Sequence, residues 1–209
     1  MDLAFSIISE HAQKGAELRL TYLEREENLI RSVALVLARS LAAGKKILIC
    51  GNGGSAADAQ HLAAELVGRY LYDRPSLPAI ALSVDTSILT ALSNDYGFDM
   101  VFSRQVEALG QAGDCLIAIS TSGNSRNIVN AILSARQNEM PIIGLTGKKG
   151  GDMAQLCDYL FDVPSDSTPL IQEIHSALVH LLCRLLDYYL FENASVLITD
   201  HEGEKNAHP

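Results

Sequence analysis

Apolar residues recur at helical spacing through the first part of the chain. Leu18, Tyr22, Leu29, Val33, Leu37 and Leu41 fall on one face, and no proline interrupts them. The pattern predicts a helical arm over residues 1–43. Glu24-Arg25-Glu26-Glu27 marks either a break or a solvated face within it, and Gly44 closes it as a C′ residue. Beyond Gly44 the period changes. Short apolar runs at 46–50, 79–83, 115–119, 141–145 and 159–163 read as buried strands. Between them lie helical stretches: from Ser55, around 86–93 and 101–109, from the polar loop 120–124 to near Asn138, and from Pro169 to Phe191. The last of these is apolar on more than one side, which predicts burial on more than one side. Strands alternating with helices predict parallel βαβ units, and so an α/β fold with a doubly wound, parallel five-stranded sheet flanked by helices over 44–192. Such sheets bind ligands beyond the carboxyl ends of their strands, where the loops after Cys50 and Ile119 lie. Residues 193–209 read as a weakly ordered tail in which two histidines suggest solvated polar residues more than metal ligands.

Composition narrows the function. A chain of 209 residues with 48% hydrophobic and 20% charged positions fits one domain with a full core and an added helical arm. A net charge of -9 argues against nucleic acid as a partner, because binding a phosphate backbone needs clustered Lys and Arg. A single phosphate can still be held locally by backbone N–H groups and hydroxyls. Cys50, Cys115, Cys157 and Cys183 form no C-x-x-C pair and each sits in or beside an apolar run, so they read as small buried side chains. The N-terminus lacks the basic region of a signal peptide, and no apolar run approaches the ~20 residues of a membrane helix. The expectation is a cytoplasmic protein without a membrane partner.

Four groups of residues bear chemistry. Gly51-Asn52-Gly53-Gly54-Ser55 joins a strand to a helix, where glycines let the backbone approach a ligand and the helix start presents unpaired N–H groups to an anion. Alone it reads equally as a tight turn in which Ser55 is the N-cap. It is not a Walker loop, and it departs from G-x-G-x-x-G at Ala56. Ser120-Thr121-Ser122-Gly123-Asn124-Ser125 also joins a buried strand to a helix, and its hydroxyls with the helix N–H groups make a phosphate cradle. His61 and Glu65, at i and i+4, share one helix face and suit a divalent metal or proton transfer, although a surface hydrogen-bonded pair has the same spacing. Gln172, His175 and His180 lie on the last helix, where imidazoles on an apolar face are more often satisfied core groups than ligands.

Taken together, these residues make the span from about Gly44 to Phe191 similar to the sugar isomerase (SIS) domain family, and within it to the isomerases of phosphorylated heptoses. The resemblance rests on the run from Cys50-Gly-Asn-Gly-Gly-Ser through His61 and Glu65 to Tyr70, on Arg74-Pro-Ser-Leu-Pro, on Ser93-Asn-Asp-Tyr-Gly-Phe98, on Ile119-Ser-Thr-Ser-Gly-Asn-Ser125, on Leu145-Thr-Gly-Lys148, and on Gln172-Glu-Ile-His175 with His180. It implies a flavodoxin-like three-layer fold. It also implies conversion of sedoheptulose 7-phosphate to D-glycero-D-manno-heptose 7-phosphate through an enediol or enediolate, the opening step of ADP-heptose synthesis for lipopolysaccharide or other surface glycans. The resemblance further implies that Glu65 and His180 are the acid–base pair, with Asp95 as a helper. Ser55, Ser120, Thr121, Ser122 and Ser125 would hold the phosphate. Asn52, Gly53, Gly54, Asn94, Asp95 and Gln172 would line the substrate site, and His61, Glu65, Gln172 and His180 would ligate one Zn²⁺ per site. Two rivals share the fold: a non-catalytic adaptor similar to the replication initiator-associating proteins, which lack the catalytic carboxylate, and an aminosugar-phosphate isomerase, deaminase or etherase. Glu65 speaks against the first, and the His61, Glu65, Gln172 and His180 set against the second.

One expectation is geometric. Gln172 and His180 are two turns apart on one predicted helix, about 12 Å along the axis and about 80° around it. A Zn–N bond is only ~2 Å long. Either the helix is broken between them, or one ligand comes from a neighbouring chain. The second option, with the tetramer the resemblance implies, predicts a homo-oligomer with shared sites.

Overall fold

The computed structural model describes residues 2–197. Two successive helical segments open the chain, α1 (Leu3–Arg25) and α2 (Glu27–Ala42), and the acidic–basic run does break the arm, with Glu26 serving as C-cap of one and N-cap of the other. Then follow β1 (Ile47–Gly51), α3 (Gly54–Val67), β2 (Ala79–Ala81), α4 (Thr86–Tyr96), α5 (Ser103–Leu109), β3 (Cys115–Ser120), α6 (Arg126–Gln137), β4 (Ile142–Thr146), β5 (Tyr159–Asp162) and α7 (Thr168–Asp187). Gly44 ends α2 at φ +74, with Gly44 N–H donating to the Leu41 carbonyl and Lys45 N–H to that of Ser40. That is the Schellman arrangement, which needs a residue free to be left-handed.

The five strands are all parallel, in the order β2-β1-β3-β4-β5. The order reverses between β1 and β3, and the crevice beyond the carboxyl ends of two such strands is where sheets of this kind bind ligands. Strand side chains alternate between two cores. Ile47, Ile49, Ile117, Ile119, Ile143 and Leu145 face α1, α2, α3 and α7. Leu48, Cys50, Leu116, Ala118 and Ile142 face the other layer, formed by α4, α5 and α6. Burial on both faces explains why these strands read as continuous apolar runs rather than as alternation.

Three readings need correction. The second strand is shorter than 79–83, because Leu82 leaves the ladder after its N–H reaches the Ile49 carbonyl. Ser55 is not an N-cap: α3 begins at Gly54 with Gly53 as N-cap, so Ser55 lies buried in the first helical turn. At the C-terminus, α7 runs on into a π-helical turn, Tyr188–Glu192, and Val196 and Leu197 pack against the core, so residues 193–197 are not a loose tail. The rest of that expected tail, 198–209, lies outside the described residues. Among the described residues no helix is long and apolar enough to cross a membrane.

Candidate active site

The crevice between β1 and β3 is walled by two helix starts. α3 begins right after β1, and α6 begins after the loop 121–125, so each directs its unpaired N–H groups at the same space. Neither helix uses a side chain to cap that end. The N-cap of α6, Ser125, instead accepts a hydrogen bond from Ser120 Oγ at 3.2 Å, and Ser120 Oγ lies 3.4 Å from Ser122 Oγ. The hydroxyls are thus gathered at the loop rather than spent on the helix. The two walls are tied by a reciprocal amide pair: Asn52 donates to Asn127 and Asn127 to Asn52, both at 2.9 Å. Asn127 was not singled out from the sequence, since its partner lies on a different βα unit.

Glycines let the surrounding backbone close on this loop. Gly147 N–H donates to the Thr121 carbonyl at 3.0 Å, and Met153 N–H to that of Gly123 at 3.1 Å. A side chain on Gly123, whose φ is +68, would run into the Gly150 carbonyl.

The third wall is α7, which lies alongside α3 in one parallel register. Gln172 reaches over Gly54, where any Cβ would strike its carboxamide. One turn further, Ser176 Oγ donates to Asp58 at 2.8 Å. Next, the His180 ring meets that of His61 edge-on, with centroids 4.9 Å apart. His61 Nε2 in turn lies 3.2 Å from Glu65 Oε1. Tyr70 stacks on His180 at 6.0 Å, and burial, with Cys183 and Glu65 nearby, raises its phenol above the ordinary range, so it stays neutral there. A cleft of about 690 Å³ runs along this wall, lined by Gly54, Asp58, Gln172 and His180 with His11 and Arg19 from α1.

The structure separates the imidazoles of the last helix. His180 is exposed at the cleft, whereas His175 is fully buried with Nε2 3.1 Å from the Thr146 carbonyl. Burial, the larger influence, holds the His175 imidazole below the ordinary histidine range, against the opposing Thr146 hydrogen bond and Asp58. Asn94 and Asp95 stand exposed near the end of α4, bonded to each other at 2.8 Å.

The donor types of His61, Glu65, Gln172 and His180 suit Zn²⁺. Within one chain, His61, Glu65 and His180 lie side by side without forming a metal-holding group: among the described residues no three His, Cys, Asp or Glu side chains are placed to hold an ion. α7 is also unbroken from Thr168 to Asp187, which removes the alternative of a helix interrupted between Gln172 and His180.

Comparison with known proteins bears on this arrangement. The SIS domain family matches residues 10–147. The chain is 55% identical over 203 residues to a phosphoheptose isomerase of Nitratidesulfovibrio vulgaris (strain Miyazaki F), covering 97% of this chain and 98% of the relative. Among solved structures, a phosphoheptose isomerase from Neisseria gonorrhoeae superposes with a TM-score of 0.83 at 43% identity, over 88% of this chain and 98% of its own. One from Francisella tularensis does so with a TM-score of 0.86 at 37% identity, over 89% and 99%.

Proposed function

The chain belongs to the SIS domain family as one of its phosphoheptose isomerases, and on that footing we propose that it interconverts sedoheptulose 7-phosphate and D-glycero-D-manno-heptose 7-phosphate at the crevice between β1, β3 and α7. The observation that supports this most is the pairing, on adjacent faces of α3 and α7, of a carboxylate and two imidazoles beside a hydroxyl-rich loop at two helix starts. Ser55, Ser120, Thr121, Ser122 and Ser125, with the helix N–H groups, hold the phosphate. Asn52, Gly53, Gly54 and Gln172 line the sugar, and Asn94 and Asp95 approach from α4. Glu65 takes the proton from C1 of the open-chain ketose, and the C–H electron pair becomes the C1–C2 double bond of an enediolate. His180 carries the O1 proton toward O2. Return of a proton to C2 then leaves the aldehyde at C1.

The same reading includes an assembly. His61, Glu65, Gln172 and His180 would hold one Zn²⁺ once a neighbouring chain completes the set, and the metal would there polarise the sugar carbonyl. No proton transfer above depends on it. The exposed apolar side chains Leu3, Phe5, Ile7 and Ile8 on α1 support chain–chain packing, and a tetramer with shared sites is our reading. Four free cysteines support a reducing compartment such as the cytoplasm.

The test is turnover of sedoheptulose 7-phosphate by the purified protein and by Glu65→Gln. The variant keeps the shape of the side chain and removes the base, so kcat should fall by about 10²–10⁴-fold. Near-wild-type turnover by Glu65→Gln would remove Glu65 from the chemistry, and no turnover by the wild type would return the chain to the adaptor reading. Shared sites are tested by mixing inactive Glu65→Gln and inactive His180→Ala under subunit exchange. Activity should reappear, and a fully active monomer would contradict the assembly.

A further inference from the structure

The segment between α3 and β2 carries an arginine that no step above uses. The Arg74 side chain is only 2% exposed, and that of Asp187, its ion-pair partner, is 0% exposed. Arg74 Nε donates to Asp187 Oδ1 at 2.9 Å. Nη2 donates to the Glu65 carbonyl at 2.9 Å and Nη1 to the Leu66 carbonyl at 2.7 Å. Both carbonyls lie in the last turn of α3, where backbone oxygens have no partner within the helix and a cation complements the dipole. Asp187 is the last residue of α7. One planar side chain therefore joins the C-terminal ends of the two helices that carry Glu65 and His180. Tyr72, from the same segment, adds a hydroxyl 3.4 Å from the Asp187 carbonyl.

A buried ion pair is a weak source of stability, since its desolvation offsets most of its attraction. What a guanidinium held by four acceptors, these three and the Pro75 carbonyl at 3.0 Å from Nη1, does supply is a single geometry. The side chains whose geometry matters are poorly fixed by packing: His61 is 40% and Glu65 23% exposed. Their distance from His180 is set by how α3 and α7 lie against each other at this level. The bond from Arg74 ends on the carbonyl of Glu65 itself.

We propose that Arg74 is a positioning residue. Through the Glu65 and Leu66 carbonyls and the Asp187 carboxylate it fixes the spacing between Glu65 and His180. This rests on the reading of those two side chains as the acid–base pair. The test compares Arg74→Lys, Asp187→Asn and Glu65→Gln with wild type, after checking fold and oligomeric state by circular dichroism and size exclusion, at a temperature well below melting. Lysine keeps the charge for Asp187 but cannot also hold both carbonyls of α3. Misplacement by about 1 Å costs on the order of 10²-fold in rate, so kcat of Arg74→Lys should fall about 10–100-fold. KM should stay within about threefold, because the phosphate loop is held by other contacts; Asp187→Asn should show the same split. A folded Arg74→Lys with kcat near wild type, or a loss carried by KM, overturns the proposal. So does failure of both Arg74→Lys and Asp187→Asn to fold, which would make the contact one of stability alone. An active Glu65→Gln removes the acid–base reading and this proposal with it. An inactive Glu65→Gln beside a fully active Arg74→Lys removes only the positioning role.

Discussion

Two glycines with nearly the same backbone angle allow the tightness of the 120–125 loop to be measured. Gly44 has φ +74 and nothing within 4 Å of where its Cβ would stand. Gly123 has φ +68, and a Cβ there would run into the Gly150 carbonyl and the Gly151 nitrogen. Gly44→Ala therefore isolates the cost of a left-handed non-glycine residue, about 1–2 kcal/mol. Gly123→Ala adds to that the retreat of the facing loop, which must open by more than about 1 Å to restore ordinary contact. Opening it breaks the bond from Met153 N–H to the Gly123 carbonyl at 3.1 Å and strains that from Asp152 N–H to Asn124 Oδ1 at 2.8 Å. At about 1 kcal/mol each, the total reaches about 3–4 kcal/mol. For a chain of this size the two variants should melt roughly 4 °C and 10 °C below wild type. Activity separates them further. Gly44→Ala should keep its KM. Gly123→Ala should raise KM for the phosphorylated sugar about tenfold or more, the equivalent of one loosened hydrogen bond to a charged group. Thermal melts and steady-state kinetics on both variants decide the matter. Equal losses of stability, with an unchanged KM for Gly123→Ala, would refute the claim that the loop is held by close backbone packing.

Two further outcomes follow from buried titratable groups. Burial pushes the Cys115 thiol up to about 11 and those of Cys157 and Cys183 to about 12, and raises Cys50 further, so a thiol reagent at pH 8 should label the native protein slowly and all four positions once it is unfolded; rapid native labelling of Cys115 would contradict the burial described. His175 has its pKa depressed in the folded state, so the unfolded chain binds the proton first as pH falls. The stability associated with neutral His175 is complete above about pH 6.5 and declines below it by up to about 1.4 kcal/mol per pH unit, and His175→Gln should flatten that part of the denaturation profile; an unchanged slope between pH 7.5 and 5.5 would count against it.

What the sequence made legible was local. Gly51 to Ser55 and Ser120 to Ser125 stand out because glycine and hydroxyl residues at a strand-to-helix junction have few other uses, and the junction is visible in the change of hydrophobic period. Gly44 was readable for the same reason, and the run at Glu26 could be narrowed to a break or a solvated face, since each is decided by neighbours in the chain. The strand order was not, because pairing β1 with β3 rather than with β2 alone is a long-range choice. Nor were the roles of Asn127, Asp58 and Arg74, whose partners Asn52, Ser176 and Asp187 come from distant elements. His175 and His180 looked alike on one apolar helix, and only the packing of α7 on β4 sends one into the core and leaves the other at the cleft. The N-cap read at Ser55 lies two residues earlier, where Gly53, with φ +55, takes the position that a serine usually fills.

The parallel register of α3 and α7 bears on which lengths of chain this fold tolerates. The two helices meet at Gly54 with Gln172, at Asp58 with Ser176 and at His61 with His180, and beyond these Arg74 joins their ends. Inserting one residue into either helix between the first and last of these meetings would turn everything after it by about 100° and advance it by about 1.5 Å. The other helix has no matching change, so every later meeting would be lost at once. A deletion has the same effect in the opposite sense. Length polymorphism should therefore be absent from 54–66 and 172–187, while residues 68–73 can lengthen as long as Arg74 still reaches back to the end of α3.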